Sequence, residues 1–370
     1  MQTPNPTPLQ STTALFPGGR AADEAAIEQG LGPQPEAKEF LFSEPNASPG
    51  TQSALPPAPP LPGGDSIVLG GKSSSIEHRI SNIETRITLK AVAQLSKLRL
   101  SLLVVFSGAI AFAIGKEGAV NVGELALFCF GGLFTTISAN IVNQILEVVP
   151  DSQMIRTRQR PLPAGNISKR NAWLLVAVSG IIGLGSYVVF FNWFSALLGL
   201  ISWVLYSFIY TPLKRISPVA VAVGAIPGAM PLLIGYAAAT GSLNDEAILL
   251  FTLQFIWQFP HFWSIAWVLH EDYARGGFRM LPGPGGHKDA SATWLMAVYT
   301  FLLIPGGWLP YLLGFAGMQS AIVATVAGLV FFYTALSLVR RRDNAAAKRL
   351  MFASFFYLPI QQIALLFDQL

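Results

Sequence analysis

The chain has 370 residues, 52% of them hydrophobic and only 12% charged, with a formal net charge of +4. That balance excludes an ordinary soluble protein of this length, and basic residues scattered between apolar runs exclude a nucleic-acid-binding face. The single cysteine, Cys129, leaves no disulfide framework and no cysteine metal site.

Residues 1–75 differ in kind from the rest. Stretches such as "TPNPTPLQSTTALFPGGR" and "ASPGTQSALPPAPPLPGG" are rich in Pro, Ser, Thr and Gly and hold little to bury, which predicts a disordered N-terminal tail. An organelle presequence is Arg-rich and poor in acids, whereas this tail sets Asp23, Glu24, Glu28, Glu36, Glu39, Glu44 and Asp65 against Arg20 and Lys38. With the first long apolar run near residue 98, no secretory signal is expected, and a bacterial inner membrane is favoured. Residues 76–97 read as an amphipathic cytoplasmic lead-in, and residues 98–370 as the membrane domain.

A membrane span needs about 20 mostly apolar residues. Nine stretches meet that measure: near 98–115, 123–146, 171–191, 194–211, 217–238, 247–268, 291–309, 319–339 and 349–367. The fold class expected is an all-α polytopic membrane protein. Lys and Arg gather after the second, fourth, sixth and eighth spans, while the other loops offer only Lys116. Such alternation predicts a cytoplasmic N-terminus and puts every polar cluster on the cytoplasmic side.

Two of those clusters stand out. The second span closes with "NQILEVVPDSQMIRTRQRPLPAG", in which Asn143, Glu147 and Asp151 fall four residues apart and share one helix face. Oxygen donors at that spacing suit Mg²⁺ shared with a substrate's phosphates better than an ordinary acidic helix end beside a basic loop, the alternative reading. Pro150 interrupts the turn and threatens the position of Asp151. Arg156, Arg158 and Arg160 follow; guanidinium groups clamp phosphate oxygens, and they are also what a positive-inside loop contains. Lys214 and Arg215, in "YTPLKRISP", carry the same two readings, and Tyr210 beside them suits an interfacial aromatic belt.

The sixth span carries "WQFPHFWSIAWVLHEDYARGGFRMLPGPGG". Gln258 and His261 lie around Pro260, which frees a backbone carbonyl, among Trp257, Phe259, Phe262 and Trp263. A large planar ligand fits such surroundings, as does plain core packing. Asp272 is expected to complete a second acidic site opposite Glu147 and Asp151. No phosphate-loop, zinc-protease or nucleophile-elbow motif is present, so ATPase and hydrolase readings lack support.

The strings "NQILEVVPDSQMIRTRQRPLP", "YTPLKR", "VGAIPGAMPLLIG" and "WQFPHFWSIAWVLHEDYARGGFRMLP" resemble, in that order, the protoheme IX farnesyltransferases (heme O synthases) of the UbiA-type prenyltransferase superfamily. The resemblance covers roughly residues 88–367. It implies nine helices around a central cavity roofed by cytoplasmic loops, and transfer of farnesyl from farnesyl diphosphate to a vinyl group of heme b, giving heme O for terminal oxidases. It further implies that Asn143, Glu147 and Asp151 form the metal-diphosphate motif, with Arg156, Arg160, Lys214 and Arg215 as diphosphate-binding positions. Gln258, His261, Asp272 and Tyr210 would form the heme or second site, Mg²⁺ would be the cofactor, and heme A synthase or oxidase assembly proteins are candidate partners. Glu147 departs from the superfamily's usual Asp, and Pro150 stands between the carboxylates. Rival readings are a prenyltransferase for a quinone precursor or chlorophyll-type ring, and a transporter or heme-binding membrane protein without chemistry.

Overall fold

In an apolar solvent the backbone must satisfy its own amides, and long apolar runs therefore become helices. The computed structural model describes residues 89–116 and 118–369. The expected tail, residues 1–75, lies outside the described residues, as does most of the lead-in.

The described chain opens with α1 (Leu89–Ser96), α2 (Leu98–Gly115) and α3 (Val122–Leu146), which runs on into α4 (Val148–Gln153). After a basic loop come α5 (Lys169–Phe190) and α6 (Trp193–Val204), the latter extended by a π-helical turn over Leu205–Tyr210. Next are α7 (Ala220–Thr240), α8 (Asp245–Val268) and the short α9 (His270–Arg275). The last part holds α10 (Ala290–Gly306), α11 (Leu309–Leu312), α12 (Met318–Arg341) and α13 (Asn344–Phe367). Beta structure among the described residues is confined to one bridge, Ala316 with Gln369.

Helix starts follow local chemistry. The side chains of Asn121, Ser168, Asn192, Asn244, Asp289 and Asp343 each accept an N–H from the first turn of the helix that follows, satisfying donors the helix itself cannot.

Among the described residues eight helices are long and apolar enough to cross a membrane. The expected sixth span, α8, has the length at 24 residues but is not among those eight. Its interior carries Gln254, Gln258 and His261, all buried, which lowers its apolar character. These groups pair with other helices: Gln254 Nε2 donates to Gly228 O at 2.8 Å, and Gln362 Nε2 of α13 donates to Gln254 Oε1 at 2.7 Å.

Outward positions are apolar, among them Ile181, Val189, Val326 and Val330. An inside–outside hydrophobic contrast therefore does not hold the helices together, and close backbone approach takes its place. Gly235 of α7 packs on the Gly108 backbone of α2, and Gly183 of α5 on Thr135 of α3, with no room at either for a Cβ. α8 packs between α7 and α13, and α3 lies along α5.

Candidate active site

α3 does not stop where its apolar run stops. At Glu147 (φ −98°, ψ 12°) the helix changes to α4, yet Glu147 N donates to Asn143 O at 3.0 Å and Asp151 N to Glu147 O at 2.8 Å. The four-residue stripe thus passes through the junction. Pro150 falls in the first turn of α4, where a missing N–H costs little, so Asp151 keeps its face. All three side chains are buried, Asp151 completely.

Each one meets a specific partner. Asp151 Oδ2 pairs with Arg160 Nη1 at 2.7 Å, because the loop after α4 folds back and Thr157 Oγ1 donates to Asp151 O. Glu147 Oε1 pairs with Lys214 Nζ at 2.5 Å. Asn143 Oδ1 accepts from Lys97 Nζ at 3.2 Å, and its Nδ2 donates to Thr211 Oγ1 at 3.1 Å. Three segments, the α1–α2 junction, the loop after α4 and residues 211–214, therefore converge on one acidic stripe.

The π-turn explains how Lys214 arrives. Thr211 sends both its N–H and its hydroxyl to Tyr206 O, five residues back, and Pro212 follows without an N–H to give. The widened turn sets Tyr210 beneath Lys214, whose Nζ stands 4.8 Å from the ring centroid and 5.5 Å from that of Phe278. Tyr210 fits because its ring lies on Gly224 of α7, where a Cβ would come within 2.5 Å of it.

Burial alone would depress the Lys214 ammonium, but Glu147 and Tyr206 hold its pKa above the ordinary lysine value. Lys97 goes the other way: burial and the neighbouring Arg160 press it down to about 7, against the pull of Asp151 and Glu147.

The second sequence cluster joins the first through its backbone. Asp272 Oδ1 accepts Ile155 N at 2.8 Å and Arg275 Nη1 at 3.2 Å, while Oδ2 accepts Arg156 N at 3.3 Å. Asp272 thus clamps the loop that carries Arg160 through two of its backbone amides. Arg279 N donates to Lys214 O at 2.9 Å, which ties the same segment to the middle loop. Arg156 enters the clamp through its amide. Arg215, expected beside Lys214, is exposed.

Deeper along α8, His261 stacks on Trp257 with centroids 4.5 Å apart, and its Nδ1 lies 2.8 Å from Ser354 Oγ of α13. Ser354 donates its one hydroxyl hydrogen to Met351 O at 2.5 Å. His261 Nδ1 must therefore be the donor to Ser354, which leaves Nε2 with its lone pair. Gln258 holds the Ala225 carbonyl of α7 at 2.9 Å.

Sequence reasoning missed Lys97, Thr211 and Ser354. Lys97 and Ser354 lie outside the clusters singled out above, and Thr211, though within "YTPLKRISP", was marked only by the "TP" that hints at an unusual turn.

Does the stripe suit a divalent cation? Among the described residues no three His, Cys, Asp or Glu side chains gather on one point. Mg²⁺, however, ordinarily takes one or two carboxylates and completes its shell with water and substrate phosphates. Asp151 Oδ1 is buried and has no hydrogen-bond partner, and Asn143 Oδ1 and the Glu147 carboxylate lie on the same face. The donor set fits.

Comparison with known proteins identifies the family. The profile described as the UbiA prenyltransferase family matches residues 102–358. The chain belongs to that family, and it is a multi-pass membrane prenyltransferase. It is 45% identical over 281 residues to a protoheme IX farnesyltransferase of Cytophaga hutchinsonii, covering 76% of this chain and 98% of the relative. A protoheme IX farnesyltransferase of Christiangramia forsetii is 38% identical over 281 residues, covering 75% and 92%. Among solved structures, a digeranylgeranylglyceryl phosphate synthase superposes with a TM-score of 0.63 at 19% identity, covering 76% of this chain and 98% of that one. A UbiA homologue from Archaeoglobus fulgidus bound to GPP and Mg²⁺ gives 0.57 at 14% identity, covering 74% and 99%.

Proposed function

We propose that this protein transfers the farnesyl group of farnesyl diphosphate to a vinyl group of heme b, yielding heme O. The observation that carries the reading is the buried stripe Asn143–Glu147–Asp151 faced by Lys97, Arg160 and Lys214, an arrangement of oxygens and cations matched to a metal diphosphate. Identity of 45% to a protoheme IX farnesyltransferase supports heme as the acceptor.

Asn143, Glu147 and Asp151 would hold Mg²⁺, which supplies neutralisation of diphosphate charge when bound. The related protein bound to GPP and Mg²⁺ supports that choice of ion. Arg160 and Lys214 offer guanidinium and ammonium donors to the diphosphate oxygens, and they are fixed in advance by Asp151 and Glu147. As the allylic C–O bond breaks, negative charge grows on the departing diphosphate, and these fixed cations stabilise it more than they stabilise the intact substrate.

The farnesyl C1 is attacked by the electron-rich vinyl carbon, a new C–C bond forms, and water adds to the neighbouring carbon. One proton leaves with the diphosphate, and the product is a hydroxyethylfarnesyl side chain. His261, stacked on Trp257 with Nε2 unprotonated, offers a nitrogen lone pair to the heme or to that water. The basic loops between spans support a site on the cytoplasmic side of a bacterial inner membrane. Both substrates are amphiphiles and reach it from the bilayer.

The test is incubation of the purified protein with heme b, farnesyl diphosphate and Mg²⁺, with and without chelator, followed by mass spectrometry of the porphyrins. A chelator-sensitive product heavier by farnesyl plus hydroxyl is expected. Diphosphate release only with a quinone precursor would overturn the heme assignment and leave the prenyl-transfer assignment standing.

A further inference from the structure

Lys97 reaches the site from the α1–α2 junction, outside both polar clusters of the sequence. Its backbone is left-handed, at φ 44° and ψ 50°, one of two non-glycine residues with positive φ among those described. L-residues hold that conformation only where their surroundings impose it.

Here the surroundings are polar groups of α3 and α2. Gln144 Nε2 donates to Leu95 O at 2.7 Å, Asn140 Nδ2 to Ser101 Oγ at 3.2 Å, and Ser101 Oγ to Ser96 O at 2.9 Å. These bonds bracket Lys97 on both sides and fix the kink. The kink delivers the Lys97 ammonium to Asn143 Oδ1. Asn143 cannot turn its amide over to escape. Thr211 has given its hydroxyl hydrogen to Tyr206 O and can only accept from Asn143 Nδ2, and Lys97 can only donate.

The oxygen that Lys97 holds is therefore the one a divalent ion on this stripe needs. Two cations on one amide oxygen repel each other, so the arrival of the ion drives the ammonium off. A flexible four-carbon stem lets the ammonium move a few ångströms while its α-carbon stays in place. The nearest new anion is the diphosphate that shares the metal.

Resting on the metal-diphosphate reading of this site, we propose that Lys97 is a tethered cation that competes with the divalent ion for Asn143 and becomes a diphosphate ligand when substrate arrives. Metal alone would bind weakly, and metal with diphosphate strongly, so the ion is retained mainly when there is substrate to act on.

The experiment uses the purified full chain in detergent, with Mn²⁺ as an electron paramagnetic resonance probe and farnesyl thiodiphosphate as an unreactive ligand followed by calorimetry. Lys97→Met is expected to bind Mn²⁺ alone about tenfold more tightly, and to bind the thiodiphosphate with Mn²⁺ about tenfold more weakly, the scale of one charge-assisted hydrogen bond. Lys97→Arg keeps the charge and makes the same backbone demand, and it should restore thiodiphosphate binding. Opposite changes of two affinities cannot come from simple loss of folding. If Lys97→Met weakens Mn²⁺ alone, or leaves both affinities unchanged, the competition does not exist. If the unsubstituted protein binds neither probe, the metal-diphosphate reading itself fails, and the proposal falls with it.

Discussion

Asn143 Nδ2 donates to Thr211 Oγ1 across 3.1 Å, which joins the acidic stripe of α3 to the π-turn at the end of α6. Thr211 is buried and passes its own hydrogen to Tyr206 O at 2.8 Å, so the orientation of the Asn143 amide is set two bonds away from the oxygen that matters. Thr211→Val keeps the shape and removes the acceptor. Leaving Asn143 Nδ2 buried without a partner costs about 1–3 kcal/mol and frees the amide to tilt, so its oxygen is no longer held toward the metal. We expect Thr211→Val to need about tenfold more Mg²⁺ for half-maximal product formation, and Thr211→Ser to behave like the unsubstituted protein. An unchanged Mg²⁺ requirement in the valine variant would remove Thr211 from this role.

Glu147 and Lys214 form the most direct ion pair between the stripe and the middle loop. Removing one member of a buried pair leaves the other charge without compensation. Glu147→Gln should lower turnover by about 10²–10³, the usual effect of deleting one fixed electrostatic group from an active site. Membrane insertion depends on span hydropathy and should not change. The check is initial rate measured alongside the amount of protein recovered in membranes. An insertion-competent variant of normal rate would show that Glu147 does not belong to the reacting site.

Asp272 acts at a distance from the stripe, through the amides of Ile155 and Arg156. Asp272→Asn keeps the size, but an amide has only one acceptor oxygen where the carboxylate uses two. The loop carrying Arg160 should loosen by about 1–2 kcal/mol, or roughly five- to thirtyfold in its open population. We expect faster proteolytic cleavage within residues 154–165 and a higher KM for farnesyl diphosphate, with kcat less affected. A change confined to kcat would place Asp272 on the reacting groups instead.

Much of the fold was legible because its signals are long and redundant. Runs of about 20 apolar residues and alternating Lys/Arg loops mark the helices even where single residues mislead. α8 is the exception that clarifies the rule: its Gln254, Gln258 and His261 lower the hydropathy, and only pairing with α7 and α13 makes them tolerable at that depth. Asn143, Glu147 and Asp151 were readable because helical spacing is local. The two amide contacts of Asp272 were not, because nothing in a polar run says which distant backbone an acidic residue meets. Lys97 was hidden more thoroughly. Its approach to Asn143 depends on one left-handed residue whose conformation is imposed by Asn140 and Gln144, more than forty positions away.

His261 offers the clearest separation of position from chemistry. Ser354 fixes the ring as its Nδ1–H form by spending its own hydrogen on Met351 O. Ser354→Ala removes the acceptor, allows the ring to place its hydrogen on either nitrogen, and leaves Trp257 Nε1 on the unchanged Ser354 backbone carbonyl at 3.0 Å. The helix contact survives while the tautomer preference weakens. Heme b titrated into the purified protein should show an altered Soret band and about three- to tenfold weaker binding in Ser354→Ala, the scale of one neutral hydrogen bond, with Ser354→Thr restoring both. His261→Ala should abolish the same spectral feature outright. If heme binding and spectrum are indifferent to both substitutions, His261 packs the core of α8 and the acceptor lies elsewhere.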